Sequence, residues 1–111
     1  MASQSALINV MQKASTAASR GLLRDFGEVE NLQVSRKGPA DFVSRADINA
    51  ERTIRRELAK ARPDWGFQME EGGVIEGADK SAPVWVIDPL DGTTNFLHGI
   101  PHFAISIAVM E

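Results

Sequence analysis

The sequence predicts an α/β chain, with two amphipathic helices ahead of a group of short apolar strands. Two observations carry this reading. In the first half, apolar residues recur at three- and four-residue intervals, the period of a helix. In the second half they cluster in short runs separated by Gly, Pro and acidic turn residues, the pattern of strands.

Leu7, Val10, Met11, Ala14, Ala17, Ala18, Gly21 and Leu22 share one helical face, which predicts a helix over 5–24. Residues 1–24 also hold Lys13, Arg20, Arg24 and several Ser with no acid, a composition shared with organellar transit peptides. The regular apolar spacing favours a helix of the fold. Asn31–Lys37 and Phe42–Ser44 read as extended pieces around a Gly38-Pro39 turn. Ser44, three residues before Asp47, reads as a capping-box-like start for a second helix over 45–61, with Ile48, Ile54, Leu58 and Ala61 near one face and Pro63 as terminator.

Gly66–Met69 reads as a strand that runs into Glu70-Glu71-Gly72-Gly73, and a polar loop follows through Glu76, Gly77, Asp79 and Lys80. The continuous run Val84-Trp85-Val86-Ile87 predicts a strand buried on both faces. Turn chemistry in Asp88-Pro89-Leu90-Asp91-Gly92-Thr93-Thr94-Asn95 then breaks it, with a short helical turn from Thr93 onward. Phe103–Met110 is a further apolar strand with only Glu111 after it, which leaves an open edge and an uncovered face. The expectation is a portion of a larger domain, with the C-terminal half absent, through truncation or proteolysis; a true short protein is the third possibility.

Composition sets outer bounds. With 111 residues the chain allows one small domain, and its 43% hydrophobic and 24% charged residues are those of a globular protein. A net charge of −3 gives no general attraction for nucleic acid or anionic membrane. Cysteine is absent, so disulfides and thiolate metal sites are excluded, in keeping with a cytoplasmic protein. No stretch approaches the roughly 20 apolar residues of a membrane span.

The acidic groups carry the chemistry. Glu70 and Glu71 end one predicted strand; Asp88 and Asp91 end another. If those strands are neighbours, three or four carboxylates meet at one sheet edge, where loops build active sites. Clustered carboxylates oppose one another's ionisation, and a divalent cation relieves that cost. Oxygen-only ligands suit a hard ion such as Mg²⁺. Pro89-Leu90 forms a stiff connection that can aim Asp88, Asp91 and the Leu90 carbonyl at one volume. Gly92 allows close backbone approach, and Gly92 and Thr93 would open a helical turn whose N–H groups attract phosphate. Taken alone, Asp91-Gly92 is an ordinary turn dipeptide and Glu70-Glu71 an ordinary solvated pair; the conjunction carries the reading. An EF-hand is excluded because acids do not alternate before the glycine, and a haloacid-type site because two residues, not one, separate the aspartates.

The run Trp85-Val86-Ile87-Asp88-Pro89-Leu90-Asp91-Gly92-Thr93-Thr94-Asn95-Phe96 resembles the metal-binding signature of the inositol monophosphatase family. Upstream, Asp41-Phe42-Val43-Ser44, Ala46-Asp47, Glu51 and Phe67-Gln68-Met69-Glu70-Glu71 agree with it in order and spacing, so the resemblance covers essentially the whole chain. Thr94-Asn95-Phe96 resembles the inositol branch; the nucleotide- and histidinol-phosphate branches more often carry Lys after the first Thr. Met69 and Ser44 depart mildly from a pattern in which Gly and Thr are frequent there.

What the resemblance implies is a layered α+β sandwich and a Mg²⁺-dependent, lithium-sensitive phosphomonoesterase that forms homodimers and acts on inositol monophosphate or a similar small phosphate. Glu70, Asp88, Asp91 and the Leu90 carbonyl would bind Mg²⁺. Thr93 with Glu70 would position the attacking water and help deprotonate it. Asp91 would belong to both the catalytic and the substrate-binding set, and the Gly92 and Thr93 N–H groups would hold phosphate oxygens. Lys37 and Asp47 match positions near the site, where a direct role and a structural one both fit. Glu71 reads as a neighbour of the site rather than a ligand, and His98 and His102 as loop residues. Family members are more than twice this long; a further Asp ligand and most inositol contacts come from their C-terminal half. The alternatives are an inactive fragment serving as an interaction module, and a family phosphatase acting on another sugar, nucleotide or histidinol phosphate.

Overall fold

The computed structural model describes residues 2–32 and 39–111, with side chains over 6–29 and 40–111. The expected extended segment at 33–37, Lys37 within it, and Gly38 lie outside the described residues.

Helix α1 (Ala2–Leu32) continues past the predicted end at residue 24. The reason is that the apolar stripe does not stop at Leu22: Phe26 and Val29 extend it at four- and three-residue steps, and Val29 is fully buried. Phe26 packs against Phe96 and Phe103, with ring centroids 5.5 and 5.0 Å away. Helix α2 (Pro39–Ala61) begins earlier than expected. Proline suits the first helical position, where its missing N–H has no partner to lose and its φ is already helical. Phe42 and Val43 therefore belong to the helix, not to an extended piece. Ser44 and Asp47 lie within it, so the capping-box start at Ser44 is wrong. Val43, Ala46, Ala50, Ile54 and Leu58 form the buried stripe of α2.

Four strands follow, β1 (Gly66–Met69), β2 (Gly73–Ile75), β3 (Val84–Asp91) and β4 (Ala104–Met110), with the five-residue helix α3 (Thr93–Leu97) between β3 and β4. The sheet order is β2-β1-β3-β4. Strands β1 and β2 pair antiparallel around the loop Glu70–Gly72, with Gly73 at φ +69° closing the turn. Sequence reading missed β2, because three residues with one strongly exposed valine give no apolar run. The pairing of β1 with β3 is parallel and that of β3 with β4 antiparallel.

Strand β3 corrects two expectations. It does not break at Asp88 but continues to Asp91 through a bulge: Asp88 pairs with Ser106 and Asp91 with Ala104, so Pro89 and Leu90 together oppose one residue of β4. Proline, which has no N–H to give a ladder, is tolerated at such a bulge. Nor is β3 buried on both faces. Trp85 and Ile87 are buried with Phe67 and Met69 against the two helices, whereas Val84 and Val86 are half-buried. Ala108 and Met110 lie opposite them on β4, and Met110 is 50% exposed. The described helices cover one face only.

Trp85 stands at the centre of this core, fully buried, with its ring centroid 4.9 Å from that of Trp65. Its Nε1–H finds no hydrogen-bond partner among the described residues. An orphaned buried donor carries its full desolvation penalty, about 1–3 kcal/mol. Trp85→Phe removes that donor along with part of the ring, so it is expected to change unfolding free energy by no more than about 1 kcal/mol, because the two effects offset. Trp85→Ala is expected to cost about 3–5 kcal/mol. Urea titrations of both variants check the contrast, and equal losses would show that the indole N–H is satisfied.

Candidate active site

The parallel register of β1 and β3 decides where the acidic groups go. Met69 pairs with Ile87, so Glu70 and Asp88 each stand one step beyond that pair, at the same end of adjacent strands. Neighbouring strands are about 4.8 Å apart, and in mixed sheets the carboxyl ends of parallel strands are where loops gather ligands. Helix α2 brings Asp47 and Glu51 to the same place. Asp47 is half-buried, and its pKa is pushed up to about 7. Burial is the largest cause, followed by the charges of Glu71, Asp88, Glu51 and Glu70. Four carboxyl groups from α2, the β1–β2 loop and β3 thus lie within electrostatic reach of Asp47.

Each group is held differently. Glu70 and Glu71 are exposed on the hairpin loop. Glu51 is 5% exposed; its Oε1 accepts the Glu71 N–H at 3.0 Å and its Oε2 the Gly72 N–H at 2.7 Å. Half-buried Asp88 turns one oxygen back on its own chain, where Oδ1 accepts the Leu90 N–H at 3.2 Å. That bond occupies the amide the bulge takes out of the ladder. Leu90 and Pro89 are buried, so the bulge is fixed from beneath. Asp91 is exposed at the last position of β3 and is not among the charges that act on Asp47.

Gly92 has no substitute. Its φ of +92° is left-handed, and a Cβ there would stand 2.9 Å from the His102 carbonyl oxygen and 3.2 Å from Phe103 Cα. The close approach is tied by Asn95, whose Nδ2 donates to the His102 oxygen at 2.8 Å, and the Ile100 N–H donates back to the Asn95 oxygen at 2.8 Å. Thr93 is exposed as the first residue of α3. His98 and His102 are exposed, and a His98 ring nitrogen lies 2.8 Å from the Thr94 oxygen, a local contact of the loop.

The structure thus brings Glu70, Asp88 and Asp47 into one acidic locus, with Asp91, Gly92 and Thr93 following directly on β3. As the side chains stand, no three acidic or histidine groups among the described residues close on one point tightly enough to hold an ion. Sequence reasoning placed Glu51 only as a matching position. The available signal was a lone acid within the apolar stripe of α2, one turn beyond Asp47 on the face that meets the sheet.

Comparison with known proteins fits this arrangement. The Inositol-1-monophosphatase of Rhizobium meliloti (strain 1021) is 66% identical over 106 residues, covering 96% of this chain and 40% of that protein. The Nus factor SuhB of Pseudomonas aeruginosa is 45% identical over 103 residues, covering 92% of this chain and 38% of that protein. The crystal structure of extragenic suppressor protein suhB from Bartonella henselae superposes with a TM-score of 0.81 at 59% identity, over 96% of this chain and 41% of that one. The chain spans about 40% of the length of these relatives. A family model described as Inositol monophosphatase family matches residues 3–111, and the chain belongs to that family.

Proposed function

We propose that this chain is the N-terminal, metal-binding portion of a Mg²⁺-dependent phosphomonoesterase that hydrolyses inositol monophosphate, or a closely similar small phosphate, by in-line attack of water. The observation that carries the reading is the convergence of Glu70 with Asp88 at one end of the parallel strand pair, beside an Asp47 whose pKa is pushed up to about 7 by burial and by its acidic neighbours.

The residues present fit a hard divalent cation. Every donor at the locus is oxygen, and the burial and neighbouring charge that raise the pKa of Asp47 are a cost that a cation would relieve. Glu70, Asp88, Asp91 and the Leu90 carbonyl would hold the metal. Bound Mg²⁺ supplies a lowered pKa for water and a positive field for the phosphate oxygens. The Thr93 hydroxyl and Glu70 carboxylate would orient the attacking water, and Glu70 would receive its proton. Backbone N–H groups of Gly92 and Thr93 would cradle phosphate oxygens, in a conformation that only glycine at 92 permits. The same reading expects lithium sensitivity, a cytoplasmic location and a homodimer. Because the chain spans about 40% of its relatives, a second reading makes it inactive by itself, an interaction module only. Assaying the 111-residue chain for Mg²⁺-dependent phosphate release separates the two.

In the full-length protein, Asp91→Asn is expected to abolish Mg²⁺-dependent phosphate release while circular dichroism stays that of the wild type. Turnover retained in that variant would remove Asp91 from the metal set.

Asp47 gives a pH test. Its folded pKa of about 7 is raised above the ordinary 3.8, so between those values the native state holds a proton that the unfolded chain has released. Stability from this group is therefore full below about pH 4 and falls as pH rises towards 7. Asp47→Asn removes that contribution. Its melting temperature, relative to the wild type, is expected to rise from pH 4 to pH 7 in the absence of divalent cations, and saturating Mg²⁺ is expected to shrink the difference. Parallel melting-temperature curves for the two proteins would show that Asp47 does not sit in the acidic field described.

A further inference from the structure

Glu51 is the buried charge that the chemistry above leaves unused. It is the one charged residue in the buried core among the described residues, and it has no ion pair there. A carboxylate in such a place is costly unless its charge is met by hydrogen bonds. An apolar residue of similar size would continue the stripe of Ala46, Ala50 and Ile54 at no such cost. What the carboxylate obtains is specific: its two oxygens accept consecutive backbone N–H groups, of Glu71 at 3.0 Å and Gly72 at 2.7 Å. Charge-assisted bonds of this length are the strong ones. They join α2 to the far side of the Glu70–Gly72 hairpin loop and fix that loop at two adjacent peptides. Gly72 itself packs close, since a Cβ there would lie 3.3 Å from Glu51 Oε2 and 2.9 Å from Met69 Cε.

We infer that Glu51 is a positioning residue for the metal site: by clamping the amides of Glu71 and Gly72, it sets the place of the Glu70 carboxylate against Asp88. This rests on the functional reading above. Glu70 is exposed on a short loop, and among the described residues no side-chain hydrogen bond or ion pair of its own aims it, so its place relative to β3 is that of the peptide chain that follows it. A residue that only stabilised the hairpin would change the melting temperature and leave metal affinity alone. A residue that aims Glu70 changes metal affinity even where the chain remains folded.

The test uses the full-length protein, with Mg²⁺ binding followed by isothermal calorimetry and folding by thermal melts without metal. Glu51→Gln keeps size and shape but turns an N–H donor towards a backbone donor, so one of the two bonds is lost. The expected result is a 10- to 100-fold weaker Kd for Mg²⁺, the order found when a group supporting a metal ligand is removed. At saturating Mg²⁺, kcat returns to within a few-fold of the wild type and KM for the phosphate ester is unchanged. If Glu51→Gln does not fold, Glu51→Asp retains the charge, shortens the reach by one methylene and is expected to weaken Mg²⁺ binding in the same direction. A folded variant with the wild-type Kd overturns the positioning role and leaves the functional reading intact. Wild-type protein that binds no Mg²⁺ overturns both.

Discussion

Like charges at short range do not gather unaided, and the acidic locus exists because backbone pairing holds it together. One register accomplishes most of this: Met69 opposite Ile87 in a parallel pair places Glu70 and Asp88 at the same end of neighbouring strands. Parallel strands need a long crossover, and here the route runs through β2 and the loop before Val84. Slipping this register by one residue would turn Phe67 and Met69 out of the core, so the hydrophobic pattern guards the placement of the acids. The repulsion remains, and it adds to burial in pushing the pKa of Asp47 up to about 7.

The bulge at Asp88–Asp91 is the second constraint and depends on the first. Two aspartates three apart in a regular strand would project from opposite faces, because side chains alternate. One extra residue on β3 shifts that alternation, and Pro89 is compatible with it because a bulge releases the ladder of an N–H there. The amide displaced at Leu90 is taken up by Asp88 itself. Beneath, Leu90 and Pro89 are buried, so the irregular backbone is supported by the same core that holds Trp85. Above, Gly92 turns the chain so tightly against His102 and Phe103 that no side chain fits. Sequence, strand irregularity and candidate site are here one feature.

Much of this could be read from the residues. The two helices, β1 and β4 followed from periodicity, and Gly92 declared itself by its place between Asp91 and the start of α3. What escaped had local causes. Pro39 reads as a turn residue after Gly38, yet the apolar period running back through Phe42 and Val43 makes it a helix start. Strand β2 pairs through its backbone and offers no hydrophobic signal of its own, since Val74 is 72% exposed. The continuation of β3 through Pro89 was hidden because proline argues against a strand unless a bulge is known to be there. Glu51 was hidden because its partners are backbone amides 20 and 21 residues away, and no side-chain pattern marks a backbone partner.

Charge balance then distinguishes the two buried or half-buried acids of α2. Both sit on the face that meets the sheet, one helical turn apart, yet they resolve the cost of burial in opposite ways. Glu51 is met by two peptide dipoles that run with the fold, and so its charge is accounted for whether or not a cation is present. Asp47 has no such bonds among the described residues, and burial together with its acidic neighbours pushes its pKa up to about 7 instead. A cation entering the locus has little to gain from Glu51, both of whose oxygens are already engaged, and more to gain from Asp88, which accepts one such bond, and from exposed Glu70. The overall charge of −3 conveys none of this, because the arginines of α2 are exposed and the acids that matter are drawn to one edge. One anion is thus taken up by the architecture, and the other carboxylates of the locus are left less fully bonded.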